Sequence, residues 1–378
     1  MICNQTQYNK MWNTRKLNEL GKFSRGKSKH RPRDDKSLFI NGKYPFIQTG
    51  DVKESNLYIN KYEMAYNEIG LKQSKLWNKD TLCITIAANI AETGILSYPM
   101  CFPDSIVGFN AYKDKCSEIF MHYIFEYIKQ SIKKYASGSI QDNINMEYIE
   151  NLEFKIPNKK LQDKIIRILY EIDSKIDNNN QINNNLEELA YTIFLNSFIN
   201  KTPNGTIGDI IKENEKSKIK VGDAKDITGE YPFFTSGESI LEWNDYLVDG
   251  RHLFLNTGGN ADVKFYVGKA MYSTDTWCIT TNNDLSDYLY LYFKSIKEEL
   301  NRKFFHGSGL KHLQKSLLKQ EKIYIPKKQE LKIFNFQVKP MFDTISSKKI
   351  ENKKLNSLKE FLLPLLMNGQ INVDNIEI

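Results

Sequence analysis

The chain is written twice, and this duplication constrains its fold more than any other feature. Gly42-Lys-Tyr-Pro-Phe-Ile-Gln-Thr-Gly50 returns as Gly229-Glu-Tyr-Pro-Phe-Phe-Thr-Ser-Gly237, with five of nine columns identical. Upstream, Lys16-Leu-Asn-Glu-Leu20 parallels Thr206-Ile-Gly-Asp-Ile210. Downstream, Leu82-Cys-Ile-Thr-Ile-Ala-Ala-Asn89 parallels Leu253-Phe-Leu-Asn-Thr-Gly-Gly-Asn260. Gly138–Ile144 matches Gly307–Leu313, and Leu152-Glu-Phe-Lys-Ile-Pro157 matches Glu321-Lys-Ile-Tyr-Ile-Pro326. Each block alone is weak. Five in one order make two diverged copies of one unit, and 378 residues are enough for two or three domains.

Each copy opens with a mixed region. The short apolar or alternating runs Tyr44–Ile47, Thr81–Ala87, Phe233–Thr235, His252–Leu255 and Val263–Val267 predict strands. Glu118–Lys134 and Ser286–Phe304 carry apolar residues at helical spacing and predict one helix each. A strand ending in Ile-Pro closes each region. The expected fold is a duplicated α/β (α+β) architecture: globular domains over 1–158 and 201–327, and helices over 159–200 and 328–378.

The helix after the first Ile-Pro is long. Ile165, Leu169, Ile172, Ile176, Asn179, Asn183, Leu186, Ala190 and Ile193 alternate at spacings of four and three, a coiled-coil seam of about four heptads. No Gly or Pro interrupts Leu161–Phe198, and those 38 residues would span about 57 Å. In copy two, Val338, Met341, Ile345, Lys348, Asn352, Leu355, Lys359 and Leu362 keep the spacing less cleanly, with Pro340 and Pro364 expected to crowd the ends. The run Asn178-Asn-Asn-Gln-Ile-Asn-Asn-Asn185 leaves two readings open. Low-complexity drift is favoured by the Asn-rich composition. The other is a buried-Asn device that fixes register, with Asn352 as its natural partner.

If the helices pair antiparallel, two similar surfaces are held a set distance apart in a pseudo-two-fold arrangement. Double-stranded DNA, with half-sites about 34–36 Å apart per turn, is a ligand of that form. The charge agrees: the net value is +7. Lys22–Lys36 holds seven Lys/Arg against two Asp, and Lys297–Lys319 holds six against two Glu, both in loop-rich sequence. The five cysteines are scattered without a CxxC pair, which predicts free thiols. No apolar run approaches the length of a membrane span, and Met1–Lys16 lacks a signal-like apolar core, so a cytoplasmic protein with no membrane partner is expected.

Nearly the whole chain resembles the specificity (S) subunit of Type I restriction–modification systems. The likeness rests on Lys16–Leu20, the two Tyr-Pro-Phe segments, Leu253-Phe-Leu-Asn-Thr-Gly-Gly259, Gly307-Ser-Gly-Leu-Lys-His-Leu313, and the Ile-Pro plus long helix that occurs twice. It implies two target-recognition domains, each reading half of a bipartite DNA site, and helical spacers that dock two methyltransferase subunits. It further implies restriction/translocase subunits, with S-adenosylmethionine, ATP and Mg held by those partners and no cofactor in this chain. Copy one departs from the pattern, with Ala87-Ala88 where copy two has Gly258-Gly259, and Ser139-Ile140 where it has Ser308-Gly309.

Candidate contacts are the polar groups of the shared blocks and the basic residues beside them. For phosphates these are Lys27, Lys29, Arg31 and Arg33 in copy one, and Lys218, Lys220, Lys264, Arg302, Lys303 and Lys311 in copy two. Nearer base edges are Gln48, Thr49 and Asn89, then Thr235, Ser236, Asn256, Asn260, Ser308 and His312; Gln and Asn can bond adenine bidentately. The sequence carries no methyltransferase tetrapeptide, phosphate loop or HExxH motif, and its five histidines lack metal-ligand spacing. A non-catalytic subunit is expected. The competing reading is a duplicated coiled-coil scaffold for proteins, which leaves the basic loops unexplained.

Overall fold

A computed structural model of the chain describes residues 12–137, 144–307, 309–371 and 373. The first copy contains β1 (Trp12–Lys16), β2 (Gly21–Arg25), β3 (Tyr44–Phe46), β4 (Tyr58–Ile59), β5 (Met64–Tyr66), β6 (Leu76–Trp77), β7 (Leu82–Thr85), β8 (Thr93–Leu96), β9 (Met100–Cys101) and β10 (Ile106–Ala111). Helix α1 (Glu118–Ser137), strand β11 (Glu153–Pro157) and the long helix α2 (Lys159–Phe198) follow. The second copy contains β12 (Gly205–Thr206), β13 (Ile211–Glu213), β14 (Tyr231–Phe234), β15 (Ile240–Trp243), β16 (Arg251–Asn256), β17 (Val263–Val267), β18 (Met271–Tyr272) and β19 (Thr276–Thr281). Then come α3 (Ser286–Ser295), α4 (Lys297–Lys303), β20 (Phe305–His306), β21 (His312–Leu313), β22 (Lys322–Ile323) and the second long helix α5 (Lys328–Met367).

The two copies share one topology. The main sheet runs β2-β10-β7-β8-β4 in the first and β13-β19-β16-β17 in the second. A smaller sheet is centred on the Tyr-Pro-Phe strand. β3 pairs antiparallel with β5 and parallel with β9, as β14 pairs with β15 and β18. The glycine that opens this block is needed for close approach. A Cβ on Gly42 would lie 1.9 Å from the Ala65 carbonyl oxygen, and one on Gly229 would lie 2.3 Å from the Trp243 backbone. A strand pair joins the start of each copy to its Ile-Pro end: β1 with β11, and β12 with β22.

The chain divides into two compact units, one up to Asp177 plus the residues from Lys353 on, the other Asn178–Asn352. Both boundaries fall inside the long helices, because each helix half packs on the globule beside it. In the first unit, Leu161, Ile165 and Leu169 of α2 share a core with Phe120, Phe125 and Phe109 and with Leu366 and Met367 of α5. In the second, Ala190, Phe194 and Phe198 share a core with Tyr288, Leu289, Phe334, Val338 and Phe342. Within each unit the two helix segments run antiparallel. Asp173 accepts from Lys359 in the first unit, and Asn179 donates to Asn352 in the second. Four cysteines (83, 101, 116 and 278) are buried free thiols.

Three sequence expectations change. The helix predicted over Ser286–Phe304 is two helices, α3 and α4, broken at Ile296. There the Ser295 hydroxyl donates back to the Tyr292 carbonyl at 2.7 Å, a side-chain bond that competes with the helical ladder. Pro340 does not crowd an end but lies well inside α5. Pro340 and Phe336, whose carbonyl loses its amide donor, both lie on the exposed face of the helix. The strict four–three seam of α2 ends at Ala190. Phe194 and Phe198, rather than Ile193, are then buried, following the natural 3.6-residue period onto the second globule.

The polyasparagine run is also decided. Asn179 is fully buried; its amide donates to Asn352 Oδ1 at 2.8 Å and to Glu351 Oε2 at 3.1 Å, and Asn352 donates to Asn180 Oδ1 at 2.8 Å. These bonds overturn drift as the preferred reading. The asparagines form a polar lock in an otherwise apolar seam.

Candidate nucleic-acid interface

In the first globule the basic segment after β2 is a loop held by its own atoms. The Lys29 and His30 amides both donate to Gln73 Oε1, at 2.6 and 3.0 Å. Lys27 gives its amide to Phe102 O at 2.9 Å and takes the Ser74 hydroxyl on its carbonyl at 2.6 Å. Asp35 accepts from Ser37 and meets His30 Nε2 at 2.8 Å, and these bonds, those of Ser37 foremost, hold its carboxyl below the usual range. The Lys27 and Lys29 ammonium groups have no partner among the described residues, so they remain available to phosphates. Arg31 turns one guanidinium nitrogen back onto Ser28 O and His30 O, at 2.7 and 2.8 Å. Arg33 is paired with Asp104 at 2.6 Å and is not the free phosphate contact expected of it. Gln48 is exposed and starts the short helix Thr49–Glu54, its amide donating to Asp51 at 2.6 Å. Asn89 follows β7 in the main sheet, whereas Gln48 and Thr49 follow β3 in the smaller sheet.

In the second globule Lys218, Lys220, Asn260, Arg302, Lys311 and His312 are exposed. Three expected contacts are structural instead. Thr235 is buried, and its hydroxyl donates to Ser239 O at 2.6 Å. Asn256 is buried; its amide nitrogen donates to the Gly258 and Asn260 carbonyls while its Oδ1 accepts from Asp262 N at 2.8 Å. Lys264 donates to Gly237 O at 2.6 Å and pairs with Asp262 at 2.8 Å. The place of Thr235 and Asn256 in shared blocks suggests DNA, but what those positions share is loop construction. Ser236 also has its hydroxyl on the Asp275 carbonyl. Lys303 pairs with Glu299 and lies 3.8 Å from Glu321, and these carboxylates raise its pKa. Ser308 lies outside the described residues.

The loop after the third strand of each main sheet is built alike. In copy two, Asn256 ties Asn260 O and Asp262 N across the loop, and the Asn256 amide bonds Asp262 O at 3.3 Å. In copy one Thr85 does the same with one hydroxyl. It donates to Asn89 O and accepts from Glu92 N at 2.9 Å, while the Thr85 amide bonds Glu92 O at 2.9 Å. Ala88 takes the left-handed conformation (φ 59°) that Gly259 takes in copy two (φ 83°). Leu313 N bonds Thr257 O at 3.0 Å, and Ile144 N bonds Ile86 O at 2.9 Å.

Beside this loop lies a cleft in each globule. The first, about 200 Å³, is lined by Arg25, Arg33, Ile86, Ala87, Asp104, Ser105 and Ile144. The second, about 260 Å³, is lined by Glu213, Glu215, Lys216, Thr257, Asp275, Trp277, Lys315 and their neighbours. Arg25, Glu215 and Asp275 were missed as site residues, although running the Lys16/Thr206 block on without a gap already sets Arg25 opposite Glu215. Among the described residues no group of three or more His, Cys, Asp or Glu is placed to hold a metal ion, and no helix is long and apolar enough to cross a membrane.

The family model for the Type I restriction modification DNA specificity domain matches this chain twice, over residues 9–188 and 202–360. The chain belongs to that family. The two matches of the specificity domain coincide with the two copies read from the repeat. The MjaIX specificity subunit of a Type I restriction enzyme from Methanocaldococcus jannaschii is 21% identical over 97% of this chain and 95% of its own. The EcoDI specificity subunit from Escherichia coli is 22% identical over 44% of this chain and 37% of its own. Among solved structures, the S subunit of a Type I restriction–modification system from M. genitalium shares the fold. It has a TM-score of 0.58 at 17% identity, covering 94% of this chain and 96% of that one. The chain is therefore a Type I specificity-domain protein with duplicated recognition domains and two long helices.

Proposed function

We propose that this chain is the non-catalytic DNA-specificity subunit of a cytoplasmic restriction–modification complex. Each globular domain reads one half of a bipartite, gapped site. The helices set the gap and dock two methyltransferase subunits and the restriction/translocase subunits, which hold S-adenosylmethionine, ATP and Mg. The observation that carries this reading is the specificity-domain match to each of two copies. It is supported by the exposed cations Lys29, Lys218, Lys220, Arg302 and Lys311.

Phosphate contacts position a protein without selecting sequence, so Lys29→Ala and Arg302→Ala should weaken binding to all duplexes alike. Each phosphate-neutralising charge removed should lower the slope of log affinity against log salt by roughly one. Titration of the complex with cognate and scrambled duplexes at several salt concentrations checks this. A salt slope unchanged in both variants would remove these residues from the interface.

A further inference from the structure

The two clefts occupy the same place in the repeated fold, and their framework is the same. In the first, Arg25 stands opposite Val107 where β2 meets β10. In the second, β13 pairs Glu213 with Ile279 on β19, and continuing that register sets Glu215 opposite Trp277, the counterpart of Val107. The Ser105 carbonyl accepts the Ile86 amide at 2.9 Å; the Asp275 carbonyl accepts the Thr257 amide at 3.1 Å. At these positions the two backbones correspond. Their side chains carry opposite charge: Arg25 against Glu215, and neutral Ser105 against Asp275.

Neither sign has a structural explanation. The Arg25 guanidinium is exposed and has no hydrogen bond or ion pair among the described residues, and the same holds for the Glu215 and Asp275 carboxylates. The backbones beneath them are fixed. Arg25 is held in the sheet ladder, the Glu215 carbonyl accepts the Tyr272 hydroxyl, and the Asp275 carbonyl takes the Thr257 amide and the Thr257 and Ser236 hydroxyls. The fixed backbone anchors each charged group at the cleft and leaves its side chain unengaged, open to directional bonds from a ligand. Glu215 is the sharper case. A carboxylate brought towards phosphates is repelled, and the donors a duplex offers to offset that repulsion are base amino groups.

We infer that this cleft is where each domain reads a base, and that the two domains read different bases through it: guanine by Arg25 in the first, cytosine by Glu215 in the second. An arginine fork matches the O6 and N7 acceptors of guanine in the major groove, and a carboxylate accepts from the N4 amino group of cytosine. The inference rests on the DNA-specificity reading above and adds to it the residues that make the two half-sites unlike.

The test uses the full chain co-expressed with the modification subunits of its own system, with methylated bases mapped across a genome. Arg25→Ala should relax one guanine position in one half-site, with discrimination there falling roughly 5- to 150-fold, and leave the other half-site intact. Arg25→Lys keeps the charge but not the fork and should relax the same position while overall affinity holds. Glu215→Gln should relax a single position in the opposite half. If wild type methylates a gapped motif and Arg25→Ala leaves every position unchanged, or weakens all sequences alike as Lys29→Ala should, the cleft is not a reader and this inference alone fails. If wild type directs methylation to no gapped motif, the specificity reading beneath it fails as well.

Discussion

Asn256 and Thr85 do one job with different atoms. Each is buried at the end of its strand and bridges a carbonyl and an amide across the loop that carries Asn260 or Asn89. Removing such a side chain leaves buried groups unpaired, at about 1–3 kcal/mol. Asn256→Ala should therefore lower the stability of the second domain by that amount, read from the urea midpoint, and Thr85→Val should do the same to the first. Asn256→Asp should be no better, because a carboxylate has no N–H for the two carbonyls. At this scale the sequence showed which columns correspond, since Leu82–Asn89 and Leu253–Asn260 align by eye. It did not show which polar members point inward. Asn256 and Asn260 have the same side chain four residues apart, and only the fold buries one and exposes the other. Arg25 shows the converse: its alignment with Glu215 was legible, but nothing local marks a strand-end residue as lining a cleft.

The long helices carry charge and amide pairs where a plain heptad pattern expects apolar residues. Asp173 of α2, 5% exposed, accepts from Tyr123 OH at 2.8 Å and from Lys359 of α5 at 2.8 and 3.0 Å; Lys359 also pairs with Glu126 at 2.9 Å. Beside this node, His122 of α1 is 1% exposed, bonded through Nδ1 to Thr93 Oγ1 at 3.0 Å and 3.7 Å from Glu126 through Nε2. Burial pushes its pKa below the ordinary 6.5; Lys359 and Lys129 add to this, while Glu126 and Asp173 oppose it. The unfolded chain then holds more protons than the folded one between the lowered value and 6.5. Stability due to this residue is complete above about pH 6.5 and declines below it, by at most about 1.4 kcal/mol per pH unit. His122→Gln should flatten that part of the profile, measured as urea midpoints from about pH 7.5 down to about 5.5; an unchanged slope would show that His122 does not titrate in this way. For the lock, Asn179→Leu alone should cost about 1–3 kcal/mol by stranding Asn352. Asn179→Leu with Asn352→Leu should recover most of that, as apolar replacement of a buried polar pair often does. A double-mutant cycle on denaturation free energies gives the coupling. The helices were legible because period and the lack of Gly survive in the sequence. The interior place of Pro340 was not legible because its tolerance depends on which helix face is exposed, a property of the packing and not of the residue.

At the scale of the whole chain, the proposed reading makes recognition modular, because each of two diverged copies would read its own half-site. Replacing residues 201–327 with the corresponding segment of another specificity subunit should change one half of the recognised site and leave the other. Adding or removing one or two turns of α2 should change the gap and keep both halves, because a helix rises about 1.5 Å per residue without altering either domain's cleft. The architecture itself was the most legible level: five repeated blocks foretold two copies of one unit, and the matching strand orders β2-β10-β7-β8 and β13-β19-β16-β17 are what the structure adds. The bases a half-site would contain were not legible, because the charged residues lining the two clefts differ between the copies. The most direct measurement is a genome-wide map of methylation directed by the complex, made with wild type and with the 201–327 replacement. The account predicts a gapped, asymmetric motif of which one half alone changes. A motif that changes in both halves, or one continuous ungapped motif, would contradict it.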